Sequence, residues 1–191
     1  MTRDEAVEIL NSLITNPNLL KHAFAVEAVM TALAVYFKTN TSYKEIDESK
    51  WALTGLLHDA DYDITRDQPE RHTLVLQEKF SAKLDSNILH AIRAHNYAYS
   101  KIAPQTLMDW SLYCCDDLTG LITACALVLP DKKLASLTSD FVLNKFNEKS
   151  FAKGANRDQM KLCQEKLGLS LKAFIDIALT AMQRISLQLG L

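Results

Sequence analysis

The sequence predicts an all-α fold in a single domain, and three observations lead to this prediction. The 191 residues include only five glycines and four prolines, too few for the many tight turns of a β-sandwich or barrel. Apolar residues make up 48% of the chain and recur at three- and four-residue steps, the period of an amphipathic helix. No repeat, low-complexity tract or linker divides residues 1–191, so we expect one core.

The N-terminal half should consist of helices separated by polar breaks. Thr2 and Glu5 form a capping box for a short helix through about Leu13, and Asn16-Pro17-Asn18 should break the chain. The segments after this break are expected to be a helix over about 19–37, a loop over 39–47, a helix that ends near His58-Asp59, a loop over 60–66, a helix over about 67–80, a helix capped by Asp85 that ends near His95, and an irregular connection over 97–104.

The longest apolar helix should begin at Thr106 and Asp109 and run to about Pro130. Gly120 lies one turn after Asp116, and a glycine there should permit close approach of another helix. The C-terminal residues 134–191 should add three shorter helices, over about 139–146, 157–167 and 170–189. The sequence assigns no role to these helices.

Composition argues against several classes of partner. The formal net charge of −2 and the absence of a Lys/Arg cluster predict no binding of long nucleic acid. No apolar run is expected to approach membrane-spanning length and no basic-then-apolar leader opens the chain, so we expect no membrane and a cytoplasmic location. The cysteines show no C-x-x-C spacing and should be small core residues in a reducing compartment; they are Cys114, Cys115, Cys125 and Cys163.

Several ligand-type side chains lie on or beside apolar helical stretches. The most informative are His58 and Asp59, which follow the apolar run 51–57. A carboxylate is disfavoured at the C-terminal end of a helix, and a nearby cation would resolve this conflict. An imidazole or carboxylate that faces a core costs on the order of several kcal/mol unless it is paired. The predicted metal ligands are His22, His58, Asp59, His72, His95 and Asp116.

Imidazole nitrogens and carboxylate oxygens together suit a divalent first-row ion such as Fe, Mn, Co or Zn, and suit Mg less well. Six such groups exceed the needs of one closed tetrahedral site. Either one ion keeps open positions or two ions share a bridging carboxylate. His90 lies on a different face from His95 and is interpreted as structural or solvent-facing, and Asp117 as a neighbour of the ligands.

This ordered pattern resembles the HD superfamily of metal-dependent phosphohydrolases. The residues that carry the resemblance are His22, the doublet His58-Asp59, and Asp116 in Cys115-Asp116-Asp117-Leu118, and the match covers about Leu20 to Leu121. The resemblance implies an HD-type helical bundle and a divalent metal ion bound by the first histidine, the doublet and the late aspartate.

His72 and His95, between the doublet and the late aspartate, resemble the dinuclear subset of that superfamily. This subset includes the HD-GYP cyclic-dinucleotide phosphodiesterases and the HD-type di-iron oxygenases. Asp59 is followed by Ala60-Asp61 and not by Ile-Gly-Lys, so a cyclic dinucleotide is not the predicted substrate. The resemblance implies that Asp59 bridges two ions, with His22, His58 and Asp116 on one and His72 and His95 on the other.

Four further residues are candidates for catalytic roles. Arg66 and Lys101, both in predicted loops, could neutralise phosphate charge, and helical spacing does not place Arg93 on the face of His95. Asp61 or Asp63 could position the attacking water or simply cap the loop.

We therefore expect a phosphatase or phosphodiesterase that uses a metal-activated water on a small phosphorylated compound, most naturally a nucleotide or related phosphate ester. Two alternatives stay open. One is a di-iron oxygenase, because oxygen activation depends on the identity and redox state of the metal. The other is a non-catalytic metal- or ligand-binding module, in which the C-terminal helices would form a homodimer.

Overall fold

The protein is described by a computed structural model over residues 1–43 and 45–191, and within these ranges it contains helices and turns but no strand. The all-α prediction is therefore confirmed. The helices are α1 (Arg3–Leu13), α2 (Pro17–Asn40), α3 (Glu48–Leu57), α4 (Tyr62–Thr65), α5 (Leu74–Phe80), α6 (Ser86–His95), α7 (Tyr97–Ser100), α8 (Leu107–Leu127), α9 (Ser139–Asn147), α10 (Arg157–Lys161), α11 (Cys163–Lys166), α12 (Leu171–Arg184) and α13 (Ser186–Leu189).

Side-chain caps set the starts of the long helices. Thr2 with Glu5 forms the predicted capping box at α1, and Thr106 with Asp109 forms a second capping box at the predicted start of α8. The Asp109 carboxylate also pairs with His90 at 2.9 Å, which gives His90 the structural role expected of it.

The Asn16-Pro17-Asn18 segment starts a helix as well as ending one. The Asn16 side chain accepts a hydrogen bond from the Asn18 N–H, and Pro17 occupies the first helical position, where its missing N–H is not needed. Helix α2 therefore begins two residues before the predicted start at Leu19.

The predictions between residues 60 and 104 are wrong in three places. The segment 60–66 is not all loop, because the Asp61 carbonyl accepts the N–H groups of Ile64 and Thr65 and forms α4. The segment 67–73 is a series of turns, so the helix predicted from 67 begins only at α5. The irregular connection 97–104 contains the short helix α7.

The C-terminal predictions differ from the structure in their continuity. The predicted helix 157–167 divides into α10 and α11 at Leu162, and the predicted helix 170–189 divides into α12 and α13 at Ile185. Each break is a local turn within one packed segment, because Cys163, Met160 and Leu189 stay buried in the same core cluster as α12.

Helix α2 is the central element of the fold. It packs against α3, α8 and α12. The larger core cluster lies between α2, α8 and the C-terminal helices, and a smaller one lies between α1, α3, α5 and α6. The four cysteines are free and buried, as predicted. The ends of α3 and α6 and the middle of α8 meet beside the first turns of α2, and this junction is where the ligand-type residues lie.

By length and composition α2 could cross a membrane, with a mean hydropathy of 1.4 over its most apolar window, so the expectation that no run approaches that length is wrong. The packing of α2 accounts for its apolar composition, because the helix buries side chains against α3, α8 and α12. Glu27 on the same helix is buried and accepts two hydrogen bonds from Arg3, one of them at 2.8 Å.

Close approach of two helices occurs at Gly55 and not at Gly120. A Cβ on Gly55 would lie 2.7 Å from the carbonyl oxygen of Val26 and 2.9 Å from its carbonyl carbon. A Cβ on Gly120 would meet nothing within 4 Å, so the predicted helix contact at Gly120 is wrong. The glycine at 55 lets α3 lie directly on the α2 backbone, and this contact sets the position of His58 one turn later.

Gly55→Ala should destabilise the protein by about 1–3 kcal/mol, because the α2 backbone must move to admit a methyl group. Gly120→Ala is the matched control and should stabilise it by up to about 1 kcal/mol, because alanine favours an exposed helix interior. Urea unfolding of the two variants in a metal chelator measures both changes. Equal effects of the two substitutions would contradict the proposed α2–α3 contact.

Candidate metal centre

The structure brings together all six predicted ligand residues, which come from five separate parts of the chain. They lie in the first turns of α2 (His22), at and just after the end of α3 (His58 and Asp59), in the turns before α5 (His72), at the last residue of α6 (His95) and in the middle of α8 (Asp116). They form two groups that share Asp59.

The first group consists of His22, His58, Asp116 and one carboxylate oxygen of Asp59. The Nε2 atoms of His22 and His58 are 3.2 Å apart, and each faces Asp116 Oδ1, at 3.0 and 3.4 Å. Asp59 Oδ2 completes the group at 3.6 Å from His22 Nε2 and 3.5 Å from His58 Nε2.

The second group consists of His72, His95 and the other carboxylate oxygen of Asp59. The two Nε2 atoms are 3.2 Å apart. Asp59 Oδ1 lies 3.1 Å from His72 Nε2 and 3.4 Å from His95 Nε2. Asp59 therefore presents one oxygen to each group.

The spacing of these atoms fits the shell of a metal ion. Ligand atoms about 2.1 Å from an ion lie roughly 3.0–3.4 Å apart at the edges of an octahedron or tetrahedron. The measured separations within the two groups run from 3.0 to 3.6 Å. Four protein donors converge in the first group and three in the second, so an octahedral ion in either group would keep positions for water or substrate.

Backbone carbonyls fix the ring orientation of two of the histidines. His58 Nδ1 donates to the carbonyl of Gly55 at 2.8 Å, and His95 Nδ1 donates to the carbonyl of Ile92. A carbonyl oxygen only accepts hydrogen bonds, so the proton of the neutral ring must lie on Nδ1. The lone pair on Nε2 then faces the centre.

Side chains fix the other two rings. His72 Nδ1 donates to Asp61 Oδ1 at 2.8 Å. Thr119 Oγ1 donates to the carbonyl of Asp116 at 2.9 Å and so accepts the Nδ1–H of His22 at 3.2 Å. All four histidines thus direct an Nε2 lone pair inward, where pairs only 3.2 Å apart repel unless a cation or a proton lies between them. This donor set fits a bound metal.

Without metal, protons take over this role. Burial alone would lower the pKa of His58 and His72, but the adjacent carboxylates of Asp59, Asp61 and Asp116 outweigh it and raise each pKa to about 9. Burial dominates at His95 and lowers its pKa. Burial alone would raise the pKa of Asp59 and Asp116, but the facing histidines lower both.

Asp61 acts on the centre through His72. Its carboxylate is buried and, besides the His72 ring, accepts the N–H groups of Thr73 and Leu76 at 2.9 and 3.0 Å. Thr73 has φ +72°, a left-handed conformation that is strained for a β-branched residue. Asn96 at the end of α6 also donates to the His72 carbonyl. These contacts hold the turn that carries His72, so Asp61 orients one of the candidate ligands.

The other three predicted catalytic residues are engaged elsewhere or exposed. Asp63 Oδ2 accepts three hydrogen bonds, two from Thr15 and one from the Asn16 N–H, which favours the loop-capping alternative. Arg66 is exposed beside Asp63. Lys101 is exposed and donates to the carbonyl of Ala98. No hydrogen bond or ion pair among the described residues joins these three side chains to a ligand residue.

The centre is open on the side of His22 and Asp116. These two side chains are each 23% exposed, whereas the His58 side chain is fully buried. Two tyrosines also lie close to the ligand-bearing ends. The exposed Tyr62 packs edge-on against the His72 ring at 5.3 Å between centroids, and the exposed Tyr97 follows His95 by two residues.

Sequence reasoning missed the residues that orient the ligands. Thr119 carried one available signal, since it lies three residues after Asp116 and so on the same face of α8. Thr73 and Asn96 carried none, because they act through a left-handed backbone and a contact between distant turns.

Comparison with known protein families agrees with this geometry. The HD domain family model matches residues 19–121, which is more than half of the chain. The chain therefore belongs to the HD domain family, a superfamily of metal-dependent hydrolases, and the predicted resemblance is confirmed. No curated protein and no solved structure matches the chain.

Thr119→Val should weaken binding of the first metal ion by about 10- to 100-fold, because the His22 ring loses the acceptor that fixes its orientation. Thr119→Ser keeps the hydroxyl and should bind as the parent protein does. Titration of the metal-free proteins with Mn²⁺ or Zn²⁺ against a competing chelator measures the affinities, and circular dichroism confirms folding. Parent-like affinity in a folded Thr119→Val protein would remove this role.

The stability of the metal-free protein should fall as the pH rises from 6 to 9.5. His58 and His72 have a pKa raised from 6.5 to about 9 in the folded state, so their stabilisation is complete below about pH 6.5 and is lost as the pH passes 9. Urea midpoints in a chelator measure the change. His58→Gln/His72→Gln is the control and should lose less stability over this range. A metal-free midpoint that is unchanged or higher at pH 9.5 would contradict the assignment.

Proposed function

We propose that this HD-family protein is a phosphohydrolase with two divalent metal ions, acting on a small phosphorylated compound. The observation that carries the proposal is the carboxylate of Asp59, whose Oδ2 faces one ligand group and whose Oδ1 faces the other. A carboxylate in this position is suited to bridging two ions.

The mixed imidazole and carboxylate donors suit Fe, Mn, Co or Zn better than Mg. His22, His58 and Asp116 would hold one ion, His72 and His95 the other, and Asp59 both. When bound, such ions lower the pKa of a bound water to about 7 and polarise a phosphoryl oxygen.

The charge balance of the centre favours an anionic substrate. The two ligand carboxylates, Asp59 and Asp116, carry two negative charges, which two divalent ions exceed. A phosphate group would be attracted although the chain as a whole has a net charge of −2. The two ions would therefore supply positive charge for the phosphate without an arginine or lysine beside either ligand group.

The chain's own residues restrict where the substrate enters. His58 and His95 close the buried side of the centre, whereas His22 and Asp116 form its exposed edge. Asp61 keeps the proton of His72 on Nδ1, directed away from the reacting side. A phosphate and its attacking water would therefore approach past His22 and Asp116.

A nucleotide is the substrate class that the surroundings favour. Tyr62 and Tyr97 are 38% and 45% exposed and lie beside the ligand-bearing segments of His72 and His95. Exposed aromatic rings offer faces on which a base can stack, worth about 1–3 kcal/mol per base. These rings support a nucleoside phosphate over a simple sugar phosphate.

Asp59→Asn should reduce hydrolysis of nucleotides and of an aryl phosphate by at least about 100-fold, because both ions lose a ligand. Asp140→Asn is the matched control: Asp140 is on α9 and pairs with Lys172, so activity should be unchanged. Phosphate release with Mn²⁺, Co²⁺ or Fe²⁺ measures both. Hydrolysis that survives Asp59→Asn would overturn the proposal.

Metal analysis separates this proposal from the di-iron alternative. The phosphohydrolase should bind about two ions per chain and release phosphate without consuming oxygen. Two irons per chain together with substrate-dependent oxygen consumption would replace it with an oxygenase. If the protein is folded and loaded with metal but has neither activity, the non-catalytic binding module is the alternative that remains.

A further inference from the structure

The C-terminal segment forms a cavity of about 590 Å³ that is rich in positive charge. Its charged lining residues are Lys149, Lys153, Arg157, Asp158 and Lys161. The single carboxylate among them, that of Asp158, pairs with Lys161 at 3.2 Å. Four cations against one anion is a strong local excess in a chain whose net charge is −2. The volume lies within the usual range for sites that bind small molecules.

Arg157 gives the cavity its shape. Its guanidinium donates to the backbone carbonyls of Phe146, Phe151, Ala152 and Ala155, so the chain from 146 to 156 is wrapped around one cation. The wall is thus held by partly buried hydrogen bonds of Arg157 and does not depend on the lysines. Lys149 and Lys153 are exposed at this wall and form no ion pair within the described residues.

The cavity borders the α8 residue that follows a candidate metal ligand. The backbone N–H of Asn156, which lines the cavity, faces the carboxylate of Asp117, and Asp117 follows Asp116. One turn earlier on α8, the Tyr113 carbonyl accepts from Gln159 at 2.5 Å. The same stretch of α8 therefore carries a candidate ligand on one face and contacts the cavity wall with its adjacent face.

Asp117 lies near both the exposed edge of the centre and the cavity. Its carboxylate is within electrostatic range of His22, which belongs to that edge, and of Arg157, which lines the cavity.

We propose that this cavity binds the additional phosphates of a substrate that carries a chain of phosphate groups, while the metal centre holds the phosphate that is attacked. This inference rests on the proposed function and names its substrate class as an oligophosphate, such as a nucleoside triphosphate. Lysine ammonium groups bind phosphate oxygens through charge-assisted hydrogen bonds, and Lys149 and Lys153 are available for this.

The variant Lys149→Ala/Lys153→Ala tests the proposal, because both side chains are exposed and the wall is held by Arg157. It should raise the KM for a nucleoside triphosphate by about tenfold or more and leave kcat/KM for an aryl monophosphate unchanged. Lys79→Ala/Lys83→Ala removes the same charge from the exposed surface around α5 and should change neither value.

Binding of inorganic tripolyphosphate to the metal-free protein, measured by calorimetry, tests the cavity without turnover. The Lys149/Lys153 variant should bind at least about tenfold more weakly than the control variant, and added salt should reduce binding further. Equal binding by both variants would overturn the inference about the cavity and leave the proposed function standing. Failure of the parent protein to hydrolyse any phosphate ester would overturn the proposed function, and with it the assignment of a substrate.

Discussion

The buried carboxylate of Asp59 is the group on which the organisation of this protein depends. Each of its oxygens lies 3.1–3.6 Å from two imidazole nitrogens, so four rings from four different segments point at one side chain. Such a concentration of lone pairs in a core is stable only with positive charge among them, from metal ions or from protons. The packing of α3 on α2 through Gly55, and the meeting of α6 and α8, place these groups together.

A second layer of contacts makes the arrangement specific. The outer nitrogen of every ring has one acceptor: a helix carbonyl for His58 and His95, a carboxylate for His72 and a hydroxyl for His22. The strained backbone of Thr73 belongs to this layer, because the Asp61 contacts that hold it also hold the His72 ring. The fold thus uses local backbone strain and a buried charge to position a ligand that lies on a turn.

The C-terminal third packs against α8, the helix that carries Asp116, and this position gives it a proposed role. Helices α9 to α12 complete the core around α8, and the connection before α10 reaches the residue next to a metal ligand. A positively charged wall beside a dinuclear centre would allow one part of the chain to supply the chemistry and another the preference among phosphorylated substrates. The proposed division rests on the contacts of Asn156, Arg157 and Gln159.

The sequence alone determined the helical class and most helix ends, and it singled out the six candidate ligands that the structure brings together, because periodicity, capping boxes and isolated polar groups on apolar stripes are local signals. Only the tertiary structure decided that Asp59 faces both groups, that Thr119 and Asp61 orient two of the rings, and that the α3–α2 contact is made at Gly55 and not at Gly120. It also showed that the Asp63 carboxylate accepts hydrogen bonds from Thr15 and Asn16, in the turn between α1 and α2. These features depend on which distant segments meet, and a contact between segments far apart in the chain leaves no periodic trace in either of them.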